Sequence, residues 1–275
     1  MYKILLIFFF ILVVTSPFLY RFIRLGQLSW FVNNEKLNLD QNYKNAEKFR
    51  FFQIVIGFLS LVFHGSLSWG WYNIISYTVI AFGIGFLVEL IGSKTGFLFG
   101  GKYQFEASTF SGPIFVGIPL LIPLSWAGLI YMSLNYCMYV TGFDFFNEPI
   151  LLFILSSLLL TALDVVLDPI AVDEGRWKWE KPGSFYNVPI YNFVGWFFTI
   201  FIILLFFKFL LLKPLIESNP NSFFKYSPSI LFALLPAIAS RPCFERGLKK
   251  AGFFGLLLTL LMFLFSILRY YNHYA

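Results

Sequence analysis

The sequence predicts an all-α fold, a polytopic bundle of about eight transmembrane helices, or seven if the shortest apolar stretch does not cross. Three observations predict it. The chain is 59% hydrophobic with 38 Phe and only 12% charged residues, against about 25% charged in a soluble domain. Residues 51–88 contain no Asp, Glu, Lys or Arg; at about 1.5 Å per residue this run suffices for two crossings of a ~30 Å hydrocarbon layer. Finally, the loops between apolar stretches alternate between basic and non-basic.

The expected spans are 4–20, 51–66, 73–91, 113–140, 149–170, 190–212, 226–240 and 251–269. The first follows Lys3 and resembles a signal peptide. Thr15-Ser16-Pro17 and the aromatic and basic residues after it offer no small-x-small cleavage site, so it reads as an uncleaved anchor. The second and third divide the charge-free run, with the break at His64 to Asn73, where Gly, Ser and Trp cluster. The fourth contains Gly117-Ile118-Pro119, Pro123 and Trp126, which reads either as a broken helix lining a cavity or as a re-entrant turn with an ordinary proline kink. Pro169 ends or kinks the fifth. The seventh is the shortest and carries Pro228 and Pro236. With no internal repeat and no long linker, residues 1–275 read as one integral membrane domain.

Orientation follows from the basic residues. The segments 21–50, 92–112, 173–189 and 241–250 hold 15 of the 20 Lys and Arg, whereas 64–72 and 141–148 hold none. The positive-inside rule puts the first group in the cytoplasm and both termini outside, in a multi-pass protein of the cell membrane. The net charge of +6 then belongs to a face meeting anionic lipids, and nucleic acid is not an expected partner. Cys137 and Cys243 lack the spacing of a disulfide or metal site.

Ionisable residues inside spans are costly and mark function. Glu89 lies in the last turn of the third predicted span, and Asp164 and Asp168 lie at the end of the fifth. All three fall at cytoplasmic helix ends, where one pocket can collect them. Asp164 and Asp168 are four residues apart and share a helix face. Two carboxyls so close in an apolar setting do not both ionise readily, so one is suited to act as acid and the other as base. The alternative is that these acids pair with Lys or Arg at the interface and anchor helix ends. Trp177 reads as an interfacial anchor. Asn192, just inside a span, needs a partner and is able to orient a water or a carboxyl.

His64 and His273 are the only histidines, too few for the multi-histidine site of a membrane di-iron oxidase. No glycine fingerprint supports a nicotinamide or flavin, and Gly100-Gly101-Lys102 lacks the first Gly and the Ser/Thr of a phosphate loop. No cofactor is expected.

The ordered set Glu89-x-x-Gly92-x-x-Thr95-Gly96, Gly100 to Tyr103, Gly117-x-Pro119, Trp126, Asp164-x-x-x-Asp168-Pro169, Trp179 and Tyr186-x-x-Pro189-x-x-Asn192-Phe193-x-Gly195-Trp196 resembles the membrane carotenoid-biosynthesis family. Its characterised members are carotenoid 1,2-hydratases and bisanhydrobacterioruberin hydratases. The resemblance runs from about residue 70 to 215, with two departures: the loop Phe97 to Gly101 is looser than the family pattern, and Asn187 stands where Gly is expected. It implies cofactor-independent addition of water to the terminal C=C of an acyclic carotenoid, giving a tertiary alcohol, and hence a hydro-lyase whose partners are that carotenoid, water and the lipid bilayer. Other carotenoid-pathway enzymes are candidate partners. Asp164 or Asp168 would supply the proton, and the other or Glu89 would accept one from the attacking water, which Asn192 would hold. Tyr103, Trp126, Tyr186 and Trp196 would face the cation, with Thr95 and Trp179 among the substrate-binding positions. Two rivals stand beside this reading: an end-group cyclase, using the same first protonation but excluding water, and a proton- or cation-coupled transporter gated at the fourth span.

Overall fold

The computed structural model describes residues 2–26, 43–211 and 222–274. Eight of its helices are long and apolar enough to cross a membrane: α1 (Tyr2–Leu25), α2 (Tyr43–Ser68), α3 (Trp71–Thr95), α4 (Leu121–Thr141), α5 (Pro149–Asp173), α6 (Ile190–Leu210), α7 (Ser222–Glu245) and α8 (Lys249–Tyr274). The expected Lys36 and Lys213 contributions to loop charge lie outside the described residues.

Local chemistry sets the helix ends. Gly96 and Gly142 take the left-handed conformation, and their N–H groups close α3 and α4 on the carbonyls of Gly92 and Met138. Pro149 opens α5, where a missing N–H costs nothing. Packing is organised around α4, which touches α2, α3, α5, α7 and α8 and is 67% buried, against 22% for α1. Ile4, Val79, Phe209 and Leu260 face outward, as side chains meeting lipid do.

Several predicted boundaries change. Residues 113–120 are not helical: β2 (Ile114–Phe115) and β3 (Ile118–Pro119) form a short hairpin, and α4 begins after it. Pro123 falls in the first turn of α4, where proline is tolerated, so the helix is not broken. Pro169 does not end α5, which runs on to Asp173. The proline-rich seventh span is a continuous 24-residue helix containing Pro228, Pro236 and Pro242. The break between the second and third spans is only Trp69–Gly70.

At one end of the bundle the α3–α4 and α5–α6 connections meet. β1 (Tyr103–Phe105) pairs antiparallel with β4 (Trp177–Trp179), with Tyr103 opposite Trp179 and Phe105 opposite Trp177. This two-stranded ribbon caps the end where α3 and α5 finish and α6 begins. The turn before α6 holds Tyr186 at φ 49° and Asn187 at φ 67°. Asn tolerates the left-handed region better than most residues, which suits Asn187 to this turn.

Candidate functional site

A cavity of about 450 Å³ lies beneath the cap, walled by residues of α1 through α7. Most of its wall is apolar, supplied by residues such as Phe9, Val13, Phe58, Leu61, Leu129 and Leu235. Three carboxyls interrupt it: Glu89 of α3 and Asp164 and Asp168 of α5, all buried.

These acids stand deeper than the sequence suggested. Glu89 is six residues before the end of α3 and Asp164 nine before the end of α5, about 9 and 14 Å along the helix axis. Asp164 and Asp168 hydrogen-bond each other across one helical turn, and Glu89 is within electrostatic reach of both. Asp168 Oδ2 accepts a 2.5 Å hydrogen bond from the Asn192 amide at the start of α6. Asp164 Oδ2 is buried and has no hydrogen-bond partner among the described residues. Glu89 accepts a hydrogen bond from the Tyr103 hydroxyl. None of the three pairs with Lys or Arg among the described residues, so the anchoring alternative has no ion pair to support it there. Among the same residues no group of three or more His, Cys, Asp or Glu side chains is arranged to hold a metal ion.

Aromatic side chains complete this end. Trp126 of α4 and Trp196 of α6 stack with ring centroids 3.7 Å apart and planes 17° from parallel. Phe99 packs against both Trp196 and Tyr103, and Trp179 donates its indole N–H to the Phe99 carbonyl at 3.2 Å. The rings of the cross-strand partners Tyr103 and Trp179 also touch, with centroids 5.5 Å apart and planes tilted by 40°, so the ribbon delivers the phenol to Glu89. Burial, with the Glu89 and Asp168 carboxylates beside it, holds the Tyr103 phenol well above the usual range, and it stays a neutral donor.

Two residues expected at the site lie off the cavity wall. Thr95 is exposed at the end of α3, where its hydroxyl bonds the Ile91 carbonyl and caps the Phe97 N–H. Tyr186 supports the turn before α6 and accepts a hydrogen bond from the Lys250 N–H at 3.0 Å. Asn192, expected to orient a water or a carboxyl, has the Asp168 carboxyl as a partner.

The sequence reading missed a second polar group, a buried ionic cluster at the cap end of the same cavity. Arg176 grips Glu47 with two hydrogen bonds of 2.5 and 2.9 Å and Glu174 with one of 2.6 Å. Arg246 bonds Glu174 at 2.8 Å and Asp173 at 2.6 Å, and Arg21 pairs with Glu245. Burial alone would push the Glu174 carboxyl up, but Arg176, Arg50 and Arg246 hold it well below the carboxylate range. Read as loop charges, these arginines helped set the predicted orientation. In the fold they are spent on glutamates that a helical register from 43 would have brought into view.

The sequence profile of the family described as carotenoid biosynthesis protein matches residues 49–262. The chain is also similar to a bisanhydrobacterioruberin hydratase of Haloarcula japonica, with 30% identity over 138 residues. That match covers 50% of this chain and 44% of the relative, so less than half the relative's length is represented. No solved structure is significantly similar. The family profile spans the helices carrying all four polar residues of the acid site, and the chain belongs to the family of carotenoid biosynthesis proteins.

Proposed function

We propose that this protein adds water to the terminal C=C of an acyclic carotenoid, without a cofactor. The observation that carries the reading is a set of three carboxyls in a mostly apolar cavity, none of them in an ion pair with Lys or Arg among the described residues, two of them hydrogen-bonded to each other. A hydrogen bond between carboxyls requires a proton on one of them. Asn192 donates to Asp168, which suits Asp168 to be the acceptor and leaves Asp164 as the proton carrier. Asp164 protonates the less substituted alkene carbon, and the stacked Trp126 and Trp196 face the tertiary cation. Water then bonds to the cationic carbon and passes a proton to Asp168 or Glu89. The net change is one H₂O added and no change of oxidation state. The family membership and the hydratase relative support the same chemistry.

The dimensions suit such a substrate. A long carotenoid matches the ~30 Å hydrocarbon layer, and a cavity of about 450 Å³ accommodates one end of it. The continuous α4 offers no broken helix to gate a transporter. For orientation, the cap end carries Lys44, Lys48, Lys94, Lys102, Lys178, Lys181, Lys249 and Lys250. This supports a cytoplasmic cap with both termini outside. A C-terminal tag reached by antibody only after permeabilisation would reverse that orientation.

The deciding experiment is mass spectrometry of pigments from cells that make an acyclic carotenoid, with and without this protein. A gain of one water per modified end is expected. An unchanged mass with a changed absorption spectrum would replace hydration with cyclisation.

A further inference from the structure

If the proposed cation forms, its fate depends on water reaching it before a neighbouring C–H proton is lost. The cavity wall contributed by α2 changes character along its length. Ile54, Gly57, Phe58 and Leu61 are apolar, whereas Arg50 and Gln53 at the cap end are polar. Three residues apart on one helix, these two side chains lie on the same face. Gln53 is half-buried, with no side-chain hydrogen bond among the described residues. Arg50 is similar. Its ion pairs are long, 3.5 Å to Glu174 and 3.8 Å to Glu47, and its guanidinium lies over the Tyr20 ring at 4.9 Å. Its side chain keeps 29% exposure, whereas neighbouring Arg176 and Arg246 are each 4% exposed and firmly paired. A guanidinium has five N–H donors and an amide has two donors and an acceptor. Such groups, with donors to spare at the polar end of the α2 wall, are what a buried water needs.

We propose that Arg50 and Gln53 form the hydrated pole of the cavity and supply the attacking water. The inference rests on the hydratase reading and goes beyond it, because it assigns the partition of the cation to residues remote in sequence from the carboxyls. With water available, an O–C bond forms and the water's proton passes to a carboxylate. Without it, the same carboxylate removes a proton from a carbon beside the cation and an alkene returns with no change of composition.

Membranes containing the full-length protein, incubated with an acyclic carotenoid in D₂O, separate the two fates. Protonation followed by proton loss puts deuterium into recovered alkene; water addition gives the alcohol. Gln53→Leu should lower the ratio of alcohol to deuterated alkene by about tenfold, a difference of about 1.4 kcal/mol between competing barriers. Gln53→Asn, which keeps an amide, should stay near wild type. Arg50→Met, which leaves Glu174 its partners Arg176 and Arg246, should shift the ratio in the same direction as Gln53→Leu. An unchanged ratio in Gln53→Leu and Arg50→Met, including one in which both products fall together, would overturn the assignment. Wild-type membranes giving neither alcohol nor deuterated alkene would overturn the hydratase reading itself and this inference with it.

Discussion

Asn192 donates its side-chain amide to Asp168 Oδ2 at 2.5 Å, joining the first turn of α6 to the buried face of α5. The bond distinguishes the two aspartates, since among the described residues Asp168 has an amide donor and Asp164 Oδ2 has no hydrogen-bond partner. Asn192→Leu keeps the volume and removes the donor. Turnover to the alcohol is expected to fall by about 10²-fold or more, within the range for a disrupted acid–base pair, while the protein still assembles in the membrane. Product yield per protein measured by immunoblot checks this.

The aspartates themselves should separate activity from stability. Asp164→Asn and Asp168→Asn are each expected to abolish hydration, by about 10²- to 10⁴-fold. Neither carboxyl has a cationic partner among the described residues, so neither substitution strands a buried cation, the usual route to a large loss of stability. The melting midpoint in detergent should therefore hold or rise in both variants. A variant that is inactive and also melts well below wild type would make the pair a structural element.

The Trp126–Trp196 stack, 3.7 Å between centroids, has one ring from each of two helices and lines the same cavity as the acids. If a ring face stabilises the cation by about 0.5–2 kcal/mol, Trp196→Leu should slow hydration by about 2- to 30-fold. Trp196→Phe should lose less, because it keeps a π face. Initial rates of alcohol formation by both variants test the order.

What the sequence disclosed was limited by range. The eight helices were legible because apolar runs and glycine or proline stops are local signals. Their ends were drawn too short at Arg21, Glu47 and Glu245, where hydropathy reads a charge as a loop although the fold buries each against an opposite charge. The spacing of Asp164 and Asp168 already implied a shared face. Nothing local could reveal that Tyr103 pairs with Trp179 across 76 residues, since register in a three-residue ribbon is set by what it covers. Tyr186 and Thr95 belong to the same motif yet serve turns, a distinction that spacing alone does not make.

The ionic cluster predicts how the protein responds to acid. The Glu174 carboxyl is held below its ordinary value of 4.5 by three guanidiniums, so the unfolded chain takes up its proton first as pH falls. Its contribution is full above the ordinary value and is lost progressively as pH drops toward the folded value. Between pH 7 and 5 the melting midpoint should change little through this group, and below about pH 4.5 it should decline. Glu174→Gln should melt lower at pH 7 and show a shallower acid decline. Thermal melts of the detergent-solubilised protein across pH read both.

Two glycines test whether the cap is held by close contact with α6. A Cβ on Gly195 would meet the Leu98 carbonyl oxygen at 2.5 Å and its carbon and the Phe99 ring at 3.0 Å. Because Phe99 packs on Trp196 and Tyr103 and accepts the Trp179 indole N–H, displacing it moves the wall over Glu89. Gly195→Ala is therefore expected to cost about 1–3 kcal/mol of stability, as overpacking does, and to lower hydration with it. A Cβ on Gly83, within α3, meets nothing within 4 Å. Gly83→Ala should be neutral or stabilise by up to about 1 kcal/mol through helix propensity, with activity unchanged. Equal melting midpoints for the two variants would mean that the 96–101 loop yields freely, and the close packing of cap on α6 would then not be what holds Tyr103 at Glu89.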